Sequence, residues 1–401
     1  MCVFAVDDVT IPGTPGRVTQ ISGSLNLTDA SYIFQRGSGI NISGSLSTAG
    51  GVFVGYDAIL PLVPGSIYAE SGISNNYSIL TGGSISIGQT LNIAAGKNLT
   101  IGGAGGNLYN FTADAIEAYG SLRLYGNVLT LEEQFVASGT GNVVIEGKSL
   151  RINGAKFQAL DSKNVTVNLG TGVFNISNGS IENLSTGTMS LNTGAIVAQY
   201  VTNESNSGTL NINATSLNLT GADATANVSF VNKGNFFGVV SGATTFAYGV
   251  DLSTMNVTNV FSLTTGTLSL GAGVDTFFDN NLNSFTLNVT NGAINANTIR
   301  NGYTNTDAGM NLSASTAINA SGIVANGGTM NLSAPNIAVG NGGISVAENG
   351  RINVLSAGTI TSGGALSVYG TLSAGLNTAA SGGMNIVNGF TDIDVSDFDV
   401  N

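Results

Sequence analysis

Two stretches of this 401-residue chain place carboxylates where chemistry could use them. The run from Phe390 to Asn401 holds Asp392, Asp394, Asp397 and Asp399, interleaved with Ile393, Val395, Phe398 and Val400. Hard cations take clustered oxygen ligands, so these four aspartates are candidate calcium ligands; no other cofactor is indicated. The same alternation describes an edge strand made acidic to discourage random pairing, and both readings stand. The second stretch, Asn305-Thr306-Asp307, offers one carboxylate, whereas glycoside hydrolysis needs two facing each other across the sugar bond. Histidine is absent, which removes the usual general base and the commonest metal ligand. Cys2 is the single cysteine, so no intrachain disulfide can form, and it reads as a small buried hydrophobe. The segment Gly102-Gly103-Ala104-Gly105-Gly106-Asn107 is similar to a calcium-binding glycine-rich nonapeptide, but one copy with Asn in place of Asp reads as a turn.

Asn305-Thr306-Asp307 also resembles one motif of galacturonan hydrolases. Their other motifs are a paired aspartate, a Gly-His-Gly and an Arg-Ile-Lys. The adjacent aspartates here are Asp7-Asp8, a histidine motif cannot be written, and Arg151-Ile152-Asn153 and Arg351-Ile352-Asn353 stop short of the lysine. No catalytic residue is assigned, and the expectation is a protein that is not an enzyme.

Composition narrows the partners. The chain carries 11 Lys and Arg against 23 Asp and Glu, a net charge of -12, and the basic residues are scattered. Nucleic acid is not an expected partner, because phosphate binding needs a basic stripe. No apolar run reaches the length of a membrane span. The start, Met1-Cys2-Val3-Phe4-Ala5-Val6-Asp7-Asp8, has no basic region ahead of its apolar run, so export is expected to be signalled elsewhere or the leader already trimmed. Charged residues make up 8% of the chain and hydrophobic ones 42%, so solubility rests on Asn, Ser, Thr and exposed peptide groups.

The elements that must position any site are short strands. Gly208-Thr209-Leu210-Asn211-Ile212 recurs as Gly83-Ser84-Ile85-Ser86-Ile87, Gly120-Ser121-Leu122-Arg123-Leu124, Gly187-Thr188-Met189-Ser190-Leu191, Gly266-Thr267-Leu268-Ser269-Leu270 and Gly328-Thr329-Met330-Asn331-Leu332. Alternation sends one side chain to a core and the next to solvent, and the glycine is expected to supply the preceding turn. Best-matching anchors at Leu122, Val143, Val165, Met189, Leu210, Val228, Phe246, Leu268, Leu287, Met310, Met330 and Ile352 are separated by 18 to 24 residues. Such a period, with second and third strands between anchors, predicts an all-β, single-stranded parallel β-helix (β-solenoid) of triangular section. About 17 or 18 coils of roughly 21 residues are expected. Phe230, Phe246, Phe261, Phe277 and Phe285 are expected to form an aromatic stack.

Three regions follow: an N-terminal arm and linker over 1–20, the solenoid over 21–388, and an acidic C-terminal strand or tail over 389–401. The solenoid is irregular with longer loops over 21–118 and regular over 119–388. Asn-x-Ser/Thr triplets headed by Asn26, Asn41, Asn98, Asn164, Asn218, Asn256, Asn288, Asn311 and Asn331 are read mainly as strand composition, with N-glycosylation as the other reading.

The Gly-Thr-Leu-Asn-Leu type of strand at this period, over about residues 20–388, resembles the repeat region of filamentous-haemagglutinin-like adhesins and other bacterial surface β-helix proteins. It does not extend to their Asn-Pro secretion motifs, since no proline here follows an asparagine. The resemblance implies a right-handed coil displayed outside a cell or virion. Neither terminus carries an amphipathic capping helix, so the expected role is a subunit of an extracellular filament or surface fibre that joins copies of itself head to tail. Val3, Phe4, Val6, Ile393, Val395, Phe398 and Val400 are the expected assembly residues. The alternative is an adhesin or phage tail-fibre module that binds a glycan through loops within 55–80 and 102–118.

Overall fold

Alternating apolar and polar residues bury themselves when each strand lies parallel to the strand one period later. The computed structural model is built this way throughout. It describes residues 2–3, 9–11, 18–27, 33–35, 39–49, 52–54, 67–69, 76–103, 109–222, 228–252, 255–270, 278–357, 359–376, 384–386, 394–395 and 398–399. Before residue 20 and after residue 372 that description covers the backbone alone. The fold is an all-β solenoid of parallel stacked strands, with about 13 turns of about 22 residues. The expectation of about 17 or 18 coils divided residues 21–388 by a uniform period, and steps of 39 residues from Ile42 to Thr81 and of 24 to 26 from Ile212 to Leu287 account for part of the difference. The chain divides into two compact units, Met1–Gln199 and Tyr200–Asn401. No helix among the described residues is long and apolar enough to cross a membrane.

The first unit shows three faces per turn. One ladder runs Leu99, Leu122, Val143, Val165, Met189; a second Ile85, Phe111, Leu129, Leu150, Phe174; a third Leu91, Ile116, Phe135, Phe157, Ile181. All fifteen side chains are buried, so the three ladders meet along one core. Each such Leu, Ile or Phe contributes about 1.5–3 kcal/mol on leaving water. Phe135 and Phe157 stack with centroids 4.5 Å apart, and Phe174 meets Phe157 edge-on at 5.0 Å.

The second unit repeats the scheme with a wider step. Its longest ladder runs Leu210, Phe236, Phe261, Phe285, Met310, Met330, Ile352, Leu372, with steps of 20 to 26 residues. Phe246 is a rung of a different face, paired with Leu219 and Leu270. Leu268 pairs with Thr244, not with the anchor ladder. The anchors Phe246 and Leu268 therefore leave the anchor ladder for one other face, because an alternating triplet looks the same on each, and Val228 lies outside the strands. The aromatic stack exists with altered membership: Phe261 lies over Phe285 at 5.0 Å and 10°, and Phe236 over Phe261 at 5.1 Å. Phe230 packs against Phe236 at 4.9 Å and reaches Phe246 at 6.0 Å, while Phe277 lies outside the described residues.

The repeat glycine has a different cause from the turn expected of it. Of the glycines opening the repeats, Gly328 has positive φ, at 65°. A Cβ on Gly120 would lie 2.2 Å from the Lys97 carbonyl of the turn before, and this close approach is what excludes a side chain there.

Candidate assembly interface

The residues expected to join copies lie at the two ends of the sequence, and each end is tied to its own chain. Cys2–Val3 runs parallel to Leu25–Leu27, with Cys2 opposite Leu25 and Val3 opposite Asn26. Val9–Ile11 pairs with Ile33–Gln35, and Val18–Ile21 with Gly39–Ile42. Separations of 23, 24 and 21 residues are those of one turn. The segment expected to be an arm is thus strand-paired in cis, as a turn of the solenoid. Phe4 and Val6 lie outside the described residues.

The acidic segment behaves alike. Met384–Ile386 pairs with Thr359–Ser362, Val395 lies opposite Val368, and Phe398 lies opposite Leu372. Val368 and Leu372 are core residues, and the backbones of Val395 and Phe398 lie in register with them one turn later. Asp394 and Asp399 stand opposite Ser367 and Ser373 on successive strands, one rung above polar positions. Asp392, Asp397, Ile393 and Val400 lie outside the described residues. Among the described residues no three acidic or thiol groups gather into a cluster that could hold a metal ion.

Among the described residues, the strands at both ends pair on one side only. A parallel strand edge left uncovered is in general a template for another strand. Polar ladders fix register between interior turns. Asn331 receives an amide bond from Asn353 at 2.9 Å and gives one to Asn311 at 2.7 Å. Asn98 likewise donates to Asn76 at 2.8 Å, and Asn164 to Asn142 at 3.2 Å. Four of the Asn-x-Ser/Thr positions are therefore working members of these ladders. Asn256 instead closes its own turn, accepting from the Thr258 N–H at 3.2 Å.

Asn305-Thr306-Asp307 forms a corner. Asn305 donates to the Asn281 carbonyl and to Asn283 Oδ1, both at 2.8 Å, and accepts from the Asp307 N–H at 3.0 Å. Of the loops expected to carry a glycan site, residues 55–66, 70–75 and 104–108 lie outside the described residues.

Two kinds of residue escaped the sequence reading. Asn203, Asn232, Asn280 and Asn301 are buried asparagines that face inward at corners of the second unit; Asn203 donates to Asn232 at 2.6 Å. Lys163 is fully buried in the first unit, and its Nζ donates to the carbonyls of Gly120 and Thr140, spanning two earlier turns. Burial lowers its ammonium from 10.5 to about 8, with Asp161 pulling the other way. Asp161, held at φ 58°, accepts from Ser138 Oγ at 2.5 Å and from the Gly139 N–H at 2.7 Å, which together lower its carboxyl. No sequence signal separates these inward residues from the outward Asn and Lys of the same composition.

Comparison with protein-family models, with curated proteins and with solved structures gives no match.

Proposed function

We propose that the chain is a structural subunit of an extracellular filament or surface fibre, adding copies of itself head to tail through the strands at its ends. The observation that supports this most is the register: the described strands nearest each end of the chain repeat the parallel pairing of the interior. Another copy laid on such an edge gains main-chain hydrogen bonds and continues the apolar ladders. A contact between unlike ends does not close, so it propagates. Because both terminal segments are paired in cis, the joint is edge on edge and not an exchanged arm. Polar Asn, Ser and Thr replace charge over most of the chain, and the aspartates toward its two ends are the repulsive term that salt would screen.

Sedimentation velocity across a wide concentration range, with negative-stain micrographs, tests the reading. Open-ended oligomers that lengthen with concentration are expected, and a folded domain fused before Met1 should terminate them. A chain that stays monomeric throughout, or a fusion that polymerises like the parent, overturns it.

A further inference from the structure

An open pocket of about 440 Å³ in the second unit is lined by Asp279, Asn281, Arg300, Tyr303 and Asn326. Three successive turns build it. Asp279 lies opposite Arg300 and Asn280 opposite Asn301, so on each strand one residue faces the core and its neighbour faces out. Asn301 in turn lies opposite Ala325. Asn281 and Tyr303 follow the strands Asp279–Asn280 and Ile294–Asn301, Asn326 follows Ala325 on the next turn, and all three line the pocket with Asp279 and Arg300.

The corner is held in place before any ligand arrives. Gly302 carries φ 72°, and a Cβ there would sit 2.2 Å from the Gly327 carbonyl. The Gly302 N–H donates to the Asn280 carbonyl at 2.8 Å, and the Thr304 N–H to Asn281 Oδ1 at 2.9 Å. Between these two anchors Tyr303 projects outward and is 74% exposed, the most exposed large hydrophobic side chain among the described residues. An aromatic ring left in water on a rigid turn is a stacking platform with a polar tip.

The polar lining selects what would stack on it. Arg300 Nη1 lies 3.2 Å and 3.4 Å from the two oxygens of Asp279, so the pocket's cation is neutralised. Two amides, a phenol, a carboxylate and a guanidinium offer donors and acceptors together, with no net charge. Hydroxyl groups need both at once, and a pyranose ring has an apolar C–H face to lay on a tyrosine. The volume falls within the usual range for small-ligand sites, about 300–1,000 Å³. A polyanion would instead meet the Asp279 carboxylate on a chain of net charge -12.

From this geometry we infer a binding site for a neutral saccharide on the side of the second unit, with Tyr303 as the stacking residue and Asp279, Asn281, Arg300 and Asn326 as hydroxyl partners. It stands apart from the end strands, so it holds whether or not the chain polymerises.

Saturation-transfer NMR and calorimetry on the full chain test it, with cellohexaose, maltohexaose, mannohexaose and hexa-N-acetylglucosamine as neutral probes and hexagalacturonate as the acidic one. At least one neutral probe is expected to bind. Tyr303→Ala should weaken it by about tenfold or more, and Arg300→Gln should also weaken it, with the urea midpoint of Tyr303→Ala unchanged. Failure of all four neutral probes, parental affinity in Tyr303→Ala, or tighter binding of hexagalacturonate overturns the assignment.

Discussion

Asn280 donates its side-chain amide to Asn301 Oδ1 at 2.7 Å, and both residues are buried one turn apart. Asn301 passes its own amide to the carbonyls of Ala308 and Gly327, each at 3.1 Å. The pair therefore ties three turns together at the corner that presents Tyr303. Replacing Asn301 by Ala removes the Gly327 carbonyl's side-chain donor and the Asn280 amide's acceptor, while Ala308 keeps the Thr329 N–H, and should cost about 1–3 kcal/mol. A lowered urea midpoint, with increased hydrogen exchange at Gly302 to Thr304, is the expected readout.

Three stacked rings form one stretch of the first unit's core. Phe157 is fully buried between Phe135 and Phe174. Phe157→Ala should cost about 3–5 kcal/mol. Phe237, 43% exposed on the outer side of its strand, should tolerate Ala to within about 0.5 kcal/mol. Urea unfolding of the two variants measures the contrast.

Lys163 makes stability depend on pH with a definite sign. Its folded value is about 8 against 10.5 when free, so between them the unfolded chain holds the extra proton. Stability should then rise as pH climbs through that window, and the contribution is lowest below about 8. Lys163→Met should remove this rise while lowering stability at neutral pH, because the Gly120 and Thr140 carbonyls lose their donor. Urea midpoints from neutral to alkaline pH, parent against variant, check both effects.

Two glycines separate backbone strain from stacking. Gly96 has φ 73° with nothing within 4 Å of a built Cβ, so Gly96→Ala should cost about 1 kcal/mol of conformational strain. Gly120→Ala drives a methyl into the turn before, 2.2 Å from the Lys97 carbonyl, and should reach the upper end of the about 1–3 kcal/mol seen for overpacking. Thermal unfolding of both variants ranks them.

Assembly should grow with ionic strength. Asp7 and Asp8 near one end and four aspartates after residue 391 near the other give both ends like charge. Raising salt from about 0.01 M to about 1 M shortens the screening length from about 30 Å to about 3 Å and should lengthen the oligomers seen by sedimentation. Calcium beyond its ionic-strength effect would mark the aspartates as ligands, and equal action of matched sodium chloride would mark them as edge charges.

The amino-acid sequence alone determined the local geometry. Alternation in Ser121–Tyr125 or Gly309–Ala314 sets which side chain is buried, and a recurrence near 21 residues brings like strands together as a parallel coil. Tertiary structure decided which face each triplet occupies, as with Phe246, and which asparagines and lysines turn inward, as with Asn301 and Lys163. It also gathered Asp279, Tyr303 and Asn326 into one pocket. The physical reason is stacking: parallel turns at about 4.8 Å make neighbours of residues a whole coil apart. The length of each coil, set by loops with no periodic pattern of their own, fixes which residues those are.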